Sequence, residues 1–104
     1  METIIRLIGS NRGKRRIWIE GKALSKFGWT KGKHYVQGNF ENPFVILLVK
    51  GTAKGNKLTE KRVAGTETRP IIDLCGNYVS KLFEGYKTVK ILITTNSIEI
   101  KGNE

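Results

Sequence analysis

The stretch RRIWIEGKALSKFGWTKGKHY, residues 15 to 35, decides how the rest of the chain is read. Two arginines lead into Ile17-Trp18-Ile19, where the two-residue period of a strand puts Ile17 and Ile19 on one face and Trp18 on the other. Gly21 closes that run. Ala23, Leu24 and Phe27 then recur at helical spacing, predicting a short helix over residues 22–27, with Gly28 placed as the left-handed cap that stops it. A β-rich run over residues 33–37 follows.

The same order returns 55 residues on, a period found by sliding the segment along the chain. Ile17 falls on Ile72, Ile19 on Leu74, Gly21 on Gly76, Leu24 on Val79, Ser25 on Ser80, Lys26 on Lys81 and Phe27 on Leu82. The second copy predicts a helix over residues 77–83, with Asn77 as N-cap, Val79, Leu82 and Phe83 as its apolar stripe and Gly85 at its end. Within and around the copies, Val, Ile and aromatic runs broken by twelve glycines predict strands over residues 3–8, 16–19, 43–49, 70–74, 88–94 and 97–101. Thr95-Asn96 reads as a tight turn between the last two. The expected fold class is mainly β: a small barrel-like β domain with two short helices, a single domain over residues 1–104. Its repeat halves, about 3–50 and 70–101, are expected to complete one another's sheets as swapped-hairpin halves. The basic connection over residues 51–69 is expected to be flexible, being long for a compact domain.

At 104 residues the chain holds one ordinary domain, and at this size roughly 65% of the unfolded surface is buried without need of disulfides or metal. One Cys, Cys75, and one His, His34, cannot build a four-ligand zinc site in one copy, and Cys75 reads as a small apolar filler. The first sixteen residues lack the apolar core and cleavage site of a secretory signal, and the longest apolar run, residues 44–49, is too short to cross a bilayer. A cytoplasmic protein with no membrane partner is expected.

Nineteen basic against nine acidic residues give a net charge of +10, a field that draws polyanions and puts nucleic acid first among partners. The excess is local: residues 1–40 carry +7, 41–49 carry −1, 50–69 carry +4, and 70–104 are neutral. Arg12, Lys14, Arg15 and Arg16 form one cluster, followed by Lys22, Lys26, Lys31 and Lys33; Lys50, Lys54, Lys57, Lys61, Arg62 and Arg69 form the other. In Arg12-Gly13-Lys14-Arg15-Arg16, arginine forks suit bidentate phosphate contact, lysine gives a point charge, and glycine lets backbone approach. Trp18, Trp29, Tyr35 and Phe40 lie among these cations and are read as core; Trp18, on the face opposite Ile17 and Ile19, is read first as packing on a second apolar layer, with contact to a base or a partner as the alternative. The loop GTAKGNK, residues 51–57, has three residues between its glycines where a Walker loop has four, and Asn56 separates Gly55 from Lys57, so it is not read as a nucleotide site. His34 has no nucleophile beside it, and Glu20 and Asp73 read as partners for backbone amides or cations. No catalytic set and no cofactor are expected.

The motif over residues 15–36, with its basic lead, strand, short helix, and Gly28-Trp29-Thr30 turn, resembles the SymE-like members of the AbrB superfamily, swapped-hairpin barrels that include DNA-binding regulators and antitoxins. The second half, RPIIDLCGNYVSKLFEGYKTVKILI, is similar to an extension found in small phage-borne proteins, some associated with DNA cytosine methyltransferases. The two stretches cover about half of the chain; simpler family members build the barrel from two identical chains, so both a monomer with an internal pseudo-two-fold and a homodimer stay open. The resemblance places DNA contacts at Arg12, Lys14, Arg15 and Arg16 with Lys22 adjacent, and the repeat adds Lys61, Arg62 and Arg69 as a second basic arm. Binding of double-stranded DNA through phosphates is expected first. A phage-encoded inhibitor docking on a host defence complex (anti-CRISPR or anti-restriction), and an RNA-binding, toxin-like protein, are the alternatives.

Overall fold

The computed structural model describes residues 1–38, 45–51 and 59–103; Phe40, Lys54, Lys57 and the 51–57 loop beyond Gly51 lie outside the described residues. In chain order the elements are β1 (Glu2–Leu7), β2 (Gly9–Asn11), β3 (Lys14–Glu20), α1 (Lys22–Ser25), β4 (His34–Gly38), β5 (Ile46–Lys50), β6 (Thr59–Arg62), β7 (Ala64–Gly65), β8 (Pro70–Cys75), α2 (Asn77–Leu82), β9 (Thr88–Ile93) and β10 (Ser97–Asn103). The fold is mainly β, with two antiparallel sheets and two short helices.

Six strands form one sheet in the order β1-β9-β10-β5-β4-β6, and four form the other in the order β2-β3-β8-β7. Exchange of β1 with β6, β2 with β7, β3 with β8, β4 with β9 and β5 with β10 merely reverses both orders. A pseudo-two-fold axis therefore runs between β5 and β10 in the large sheet and between β3 and β8 in the small one. The register agrees with the 55-residue period: that shift carries Trp18 onto Asp73, and these two residues pair at the centre of the β3–β8 ladder. Each half lends its leading strand to the other, β1 pairing with β9 and β6 with β4.

Alternation places Ile17, Ile19, Ile72 and Leu74 inside from the small sheet, and Leu48, Val89, Ile91, Ile93, Ile98 and Ile100 inside from the large one. Leu24 of α1 and Val79 of α2, partners in the repeat, fill matching places in the same apolar cluster. Trp29 packs edge-on to Tyr35, with centroids 5.9 Å apart, and its indole N–H donates to Thr94 O at 2.8 Å, so the largest buried ring leaves no polar atom unbonded. Gly28 takes the left-handed conformation (φ 79°) that ends α1, and the Thr94 hydroxyl bonds Ser97 across the turn before β10.

Several expectations are corrected. Residues 59–69 are not a flexible connection: Thr59–Arg62 and Ala64–Gly65 are strands, and residues 66–69 turn between β7 and β8, with Thr66 and Arg69 bonding each other's backbone. Three short strands, β2, β6 and β7, were unforeseen because as edge strands they pair by backbone and need no apolar pattern. The N-cap of α2 is Gly76, not Asn77, which is the first helical residue and makes no capping bond. Of the strand expected over residues 43–49, residues 43 and 44 lie outside the described residues and β5 is Ile46–Lys50; α1 is a single turn, shorter than its apolar spacing predicts.

Candidate nucleic-acid interface

The basic cluster of the first half belongs to the β2–β3 hairpin. Ser10 pairs with Arg15 and Asn11 with Lys14, leaving Arg12 and Gly13 as a two-residue turn with φ values of 52° and 80°. Such a turn requires positive φ at both central residues, which glycine supplies without strain and Arg12 adopts with some. The result carries Arg12 and Lys14 outward on a rigid tip. Both are exposed, and neither makes an ion pair or a side-chain hydrogen bond among the described residues.

Arg15 has a different role. It shares the parity of Ile17 and Ile19, so its guanidinium turns inward and donates to Phe83 O and Tyr86 O, while its own backbone N–H donates to Ser80 Oγ at 3.0 Å. It closes the carboxyl end of α2 and ties that helix to the hairpin, where orphan carbonyls favour a cation. Arg16 lies on the outer face of the small sheet. It forks onto Asp73, Nε to Oδ1 at 2.8 Å and NH2 to Oδ2 at 2.9 Å, and its guanidinium carbon lies 4.3 Å from the Trp18 ring centroid. The Asp73 bond lifts the Arg16 guanidinium further above its ordinary range, with burial opposing. Trp18, at 37% exposure, thus stands on the pseudo-two-fold beside a fixed cation.

The second arm does not assemble as expected. Lys61 and Arg62 are in β6 at the edge of the large sheet, opposite Tyr35 and His34, whereas Arg69 sits at the β7–β8 turn of the small sheet, 3.8 Å from Glu20. Backbone bonds from Gly32 N to Val63 O (2.9 Å) and from Val63 N to Lys33 O (3.0 Å) bring the Lys31–Lys33 loop against the β6–β7 junction instead. Lys31 and Lys33 thereby lie on a loop whose backbone joins Val63, next to Arg62, a neighbourhood that linear grouping of the charges splits. Its signal in the sequence is a glycine flanked by two lysines just before a strand. Lys50 is used internally: it donates to Phe27 O at 2.7 Å and covers the Trp29 ring, and burial, helped by the charge of Lys33, lowers its pKa. His34 bonds Glu60 through Nδ1 at 2.8 Å on the exposed face of the large sheet.

Within the small sheet, therefore, Arg12 and Lys14 mark one end of β3 and Lys22 with Arg69 the other. Six residue steps of a strand separate Lys14 from Glu20, about 20 Å. Lys22, at the start of α1, is exposed and without a side-chain partner among the described residues. No helix among the described residues is long and apolar enough to cross a membrane. Comparison with family models, with curated proteins and with solved structures gives no match to this chain.

Proposed function

We propose that this protein binds double-stranded DNA through phosphate contacts made at the two ends of its small sheet. The observation that carries the reading is the set of exposed cations, Arg12, Lys14 and Lys22, that have no acidic partner among the described residues, while Arg15, Arg16 and Lys50 are committed to internal bonds. Cations about 20 Å apart on a rigid strand reach phosphates on both rims of a duplex groove about 12 Å wide. The net charge of +10 supplies long-range attraction, and the two-fold arrangement of strands supports the likeness to swapped-hairpin barrels that bind DNA. No cofactor takes part, and contact is with backbone, so discrimination among sequences is weak.

Fluorescence anisotropy with labelled duplex DNA, single-stranded DNA and RNA across a salt series tests this. With about four phosphate contacts, from Arg12, Lys14, Lys22 and Arg69, log affinity for the duplex falls with log salt at a slope of about −3.5. A slope near zero overturns the mechanism, and preference for RNA or a single strand overturns the choice of ligand.

Trp18 favours a second reading. An exposed tryptophan held against an immobile arginine is the residue pair that anchors protein interfaces at low entropic cost. On this reading the outer face of the small sheet docks on an acidic host protein of a defence complex, inhibiting it. Capture from nuclease-treated host lysate separates the two readings, since a protein partner survives the nuclease and a DNA bridge does not.

A further inference from the structure

Of the five exposed large apolar side chains among the described residues, three lie on or next to one strand: Met1 (80% exposed), Ile5 (47%) and Leu7 (78%), with β1 spanning Glu2–Leu7. β1 ends the large sheet, paired with β9 along one side and, among the described residues, with no strand on the other. Alternate backbone N–H and C=O groups of such a strand point away from its ladder, ready to pair. The strand at the opposite edge, β6, is its counterpart under the pseudo-two-fold and has the sequence Thr59-Glu60-Lys61-Arg62. Charges of that kind blunt an edge against addition. The two edges are equivalent in topology and opposite in chemistry.

The sequence of β1 also complements its own reversal. When two copies pair antiparallel about Ile4, Glu2 of each faces Arg6 of the other, Thr3 faces Ile5, and Met1 faces Leu7. The faces match too. In the β1–β9 ladder Thr3, Ile5 and Leu7 lie opposite Leu92, Lys90 and Thr88, on one side of the sheet, so the exposed apolar residues of both copies fall in a single row. Glu2, bonded to Lys26 at 3.1 Å, and Arg6 lie on the other side. A shift of one residue in this register would set Glu2 against a neutral partner and split the row.

We propose that the partner of this edge is a second copy of the chain: two molecules join through β1 in the register centred on Ile4, making one continuous sheet across both. The inference does not depend on nucleic-acid binding, and salt separates the two. Each copy carries +10, so the dimer tightens as salt screens the repulsion, whereas phosphate binding weakens.

Sedimentation equilibrium of the full chain over a concentration range, at about 0.05 M and about 0.5 M salt, is expected to show reversible growth from 11.7 kDa to twice that mass, with more dimer at high salt. Leu7→Lys and Ile5→Lys, at exposed positions that leave the core intact, each raise the dimer dissociation constant about tenfold or more, with thermal melts confirming the fold. Register is read separately by cysteine pairing in a Cys75→Ala background: a mixture of Thr3→Cys and Ile5→Cys chains forms a mixed disulfide on mild oxidation, and neither variant alone cross-links to the same extent. A constant mass of 11.7 kDa at every concentration, a dimer indifferent to both lysine substitutions, or Thr3→Cys cross-linking to itself as readily as to Ile5→Cys overturns the proposal.

Discussion

Replacing Arg15 with alanine separates what this residue does for the fold from what its neighbours do for binding. The substitution removes two charge-assisted bonds, to Phe83 O and Tyr86 O; Phe83 O keeps the Tyr86 N–H at 3.0 Å, while Tyr86 O, in a half-buried place, loses its side-chain donor. Hydrogen bonds from charged groups contribute about 1.5 to 3 kcal/mol each when well buried. Partial solvation lowers that to about 1 kcal/mol apiece, and the lost packing of the side-chain stem brings the total to about 2 to 3 kcal/mol. A domain of this length has about 5 to 15 kcal/mol in all, so the loss is a large share. At about 4 to 8 °C per kcal/mol it lowers the melting temperature by about 10 to 20 °C. Far-UV circular dichroism melts and urea midpoints of Arg15→Ala, beside Arg15→Lys and the tip variant Arg12→Ala, measure it. Arg15→Lys, with one donor group instead of a fork, falls between, and Arg12→Ala stays within about 0.5 kcal/mol of the parent. If Arg15→Ala melts within about 2 °C of the parent and loses only DNA affinity, the assignment of Arg15 to the fold is wrong.

Replacing Arg12, Lys14 and Lys22 together with alanine flattens the salt dependence of duplex binding by about 2 to 3 in slope, read by anisotropy; an unchanged slope places the phosphates elsewhere. Burial, with lesser help from Tyr78 and Asp73, pushes the Tyr35 hydroxyl from its ordinary 10.0 up to about 12, so the folded state holds the neutral form longer than the unfolded chain does. The resulting stability is complete below pH 10.0 and is lost as pH rises towards about 12; urea midpoints across that window fall, and Tyr35→Phe makes the fall shallower. At Gly102 an added Cβ would lie 2.5 Å from the Tyr86 ring, so Gly102→Ala costs about 1 to 3 kcal/mol. Combining it with Tyr86→Ala gives a loss smaller than the sum of the two in a denaturation cycle, and strict additivity contradicts the clash.

What the sequence disclosed depended on whether a residue's partner was a core or another backbone. Ile17-Trp18-Ile19, the alternation of β9 and β10, and the Gly28 cap were legible because burial imposes a period and left-handed turns select glycine. Strands β2, β6 and β7 have the sequences GSN, TEKR and AG, which carry no such period, and only the neighbouring strand makes them strands. The same limit scattered the candidate site. Lys61, Arg62 and Arg69 are near in sequence, yet a junction at Val63 sends them to different sheets. Strand parity does separate the arginines: counting by twos from Ile17 puts Arg15 on the inward face, apart from Arg12 and Lys14.

The lending of leading strands between halves has a consequence for how the molecule comes into being. As the chain leaves a ribosome, β1 emerges long before its neighbour β9, and β3 long before β8. The β2–β3 and β4–β5 hairpins can pair as they emerge, but neither sheet is complete before strands of the second half join it. Folding must bring together segments from opposite ends of the chain, a search that places such topologies in the millisecond-to-second range instead of the microseconds of local bundles. The first half is therefore made as a positively charged segment whose hairpins have no finished sheet to join until β8, β9 and β10 follow.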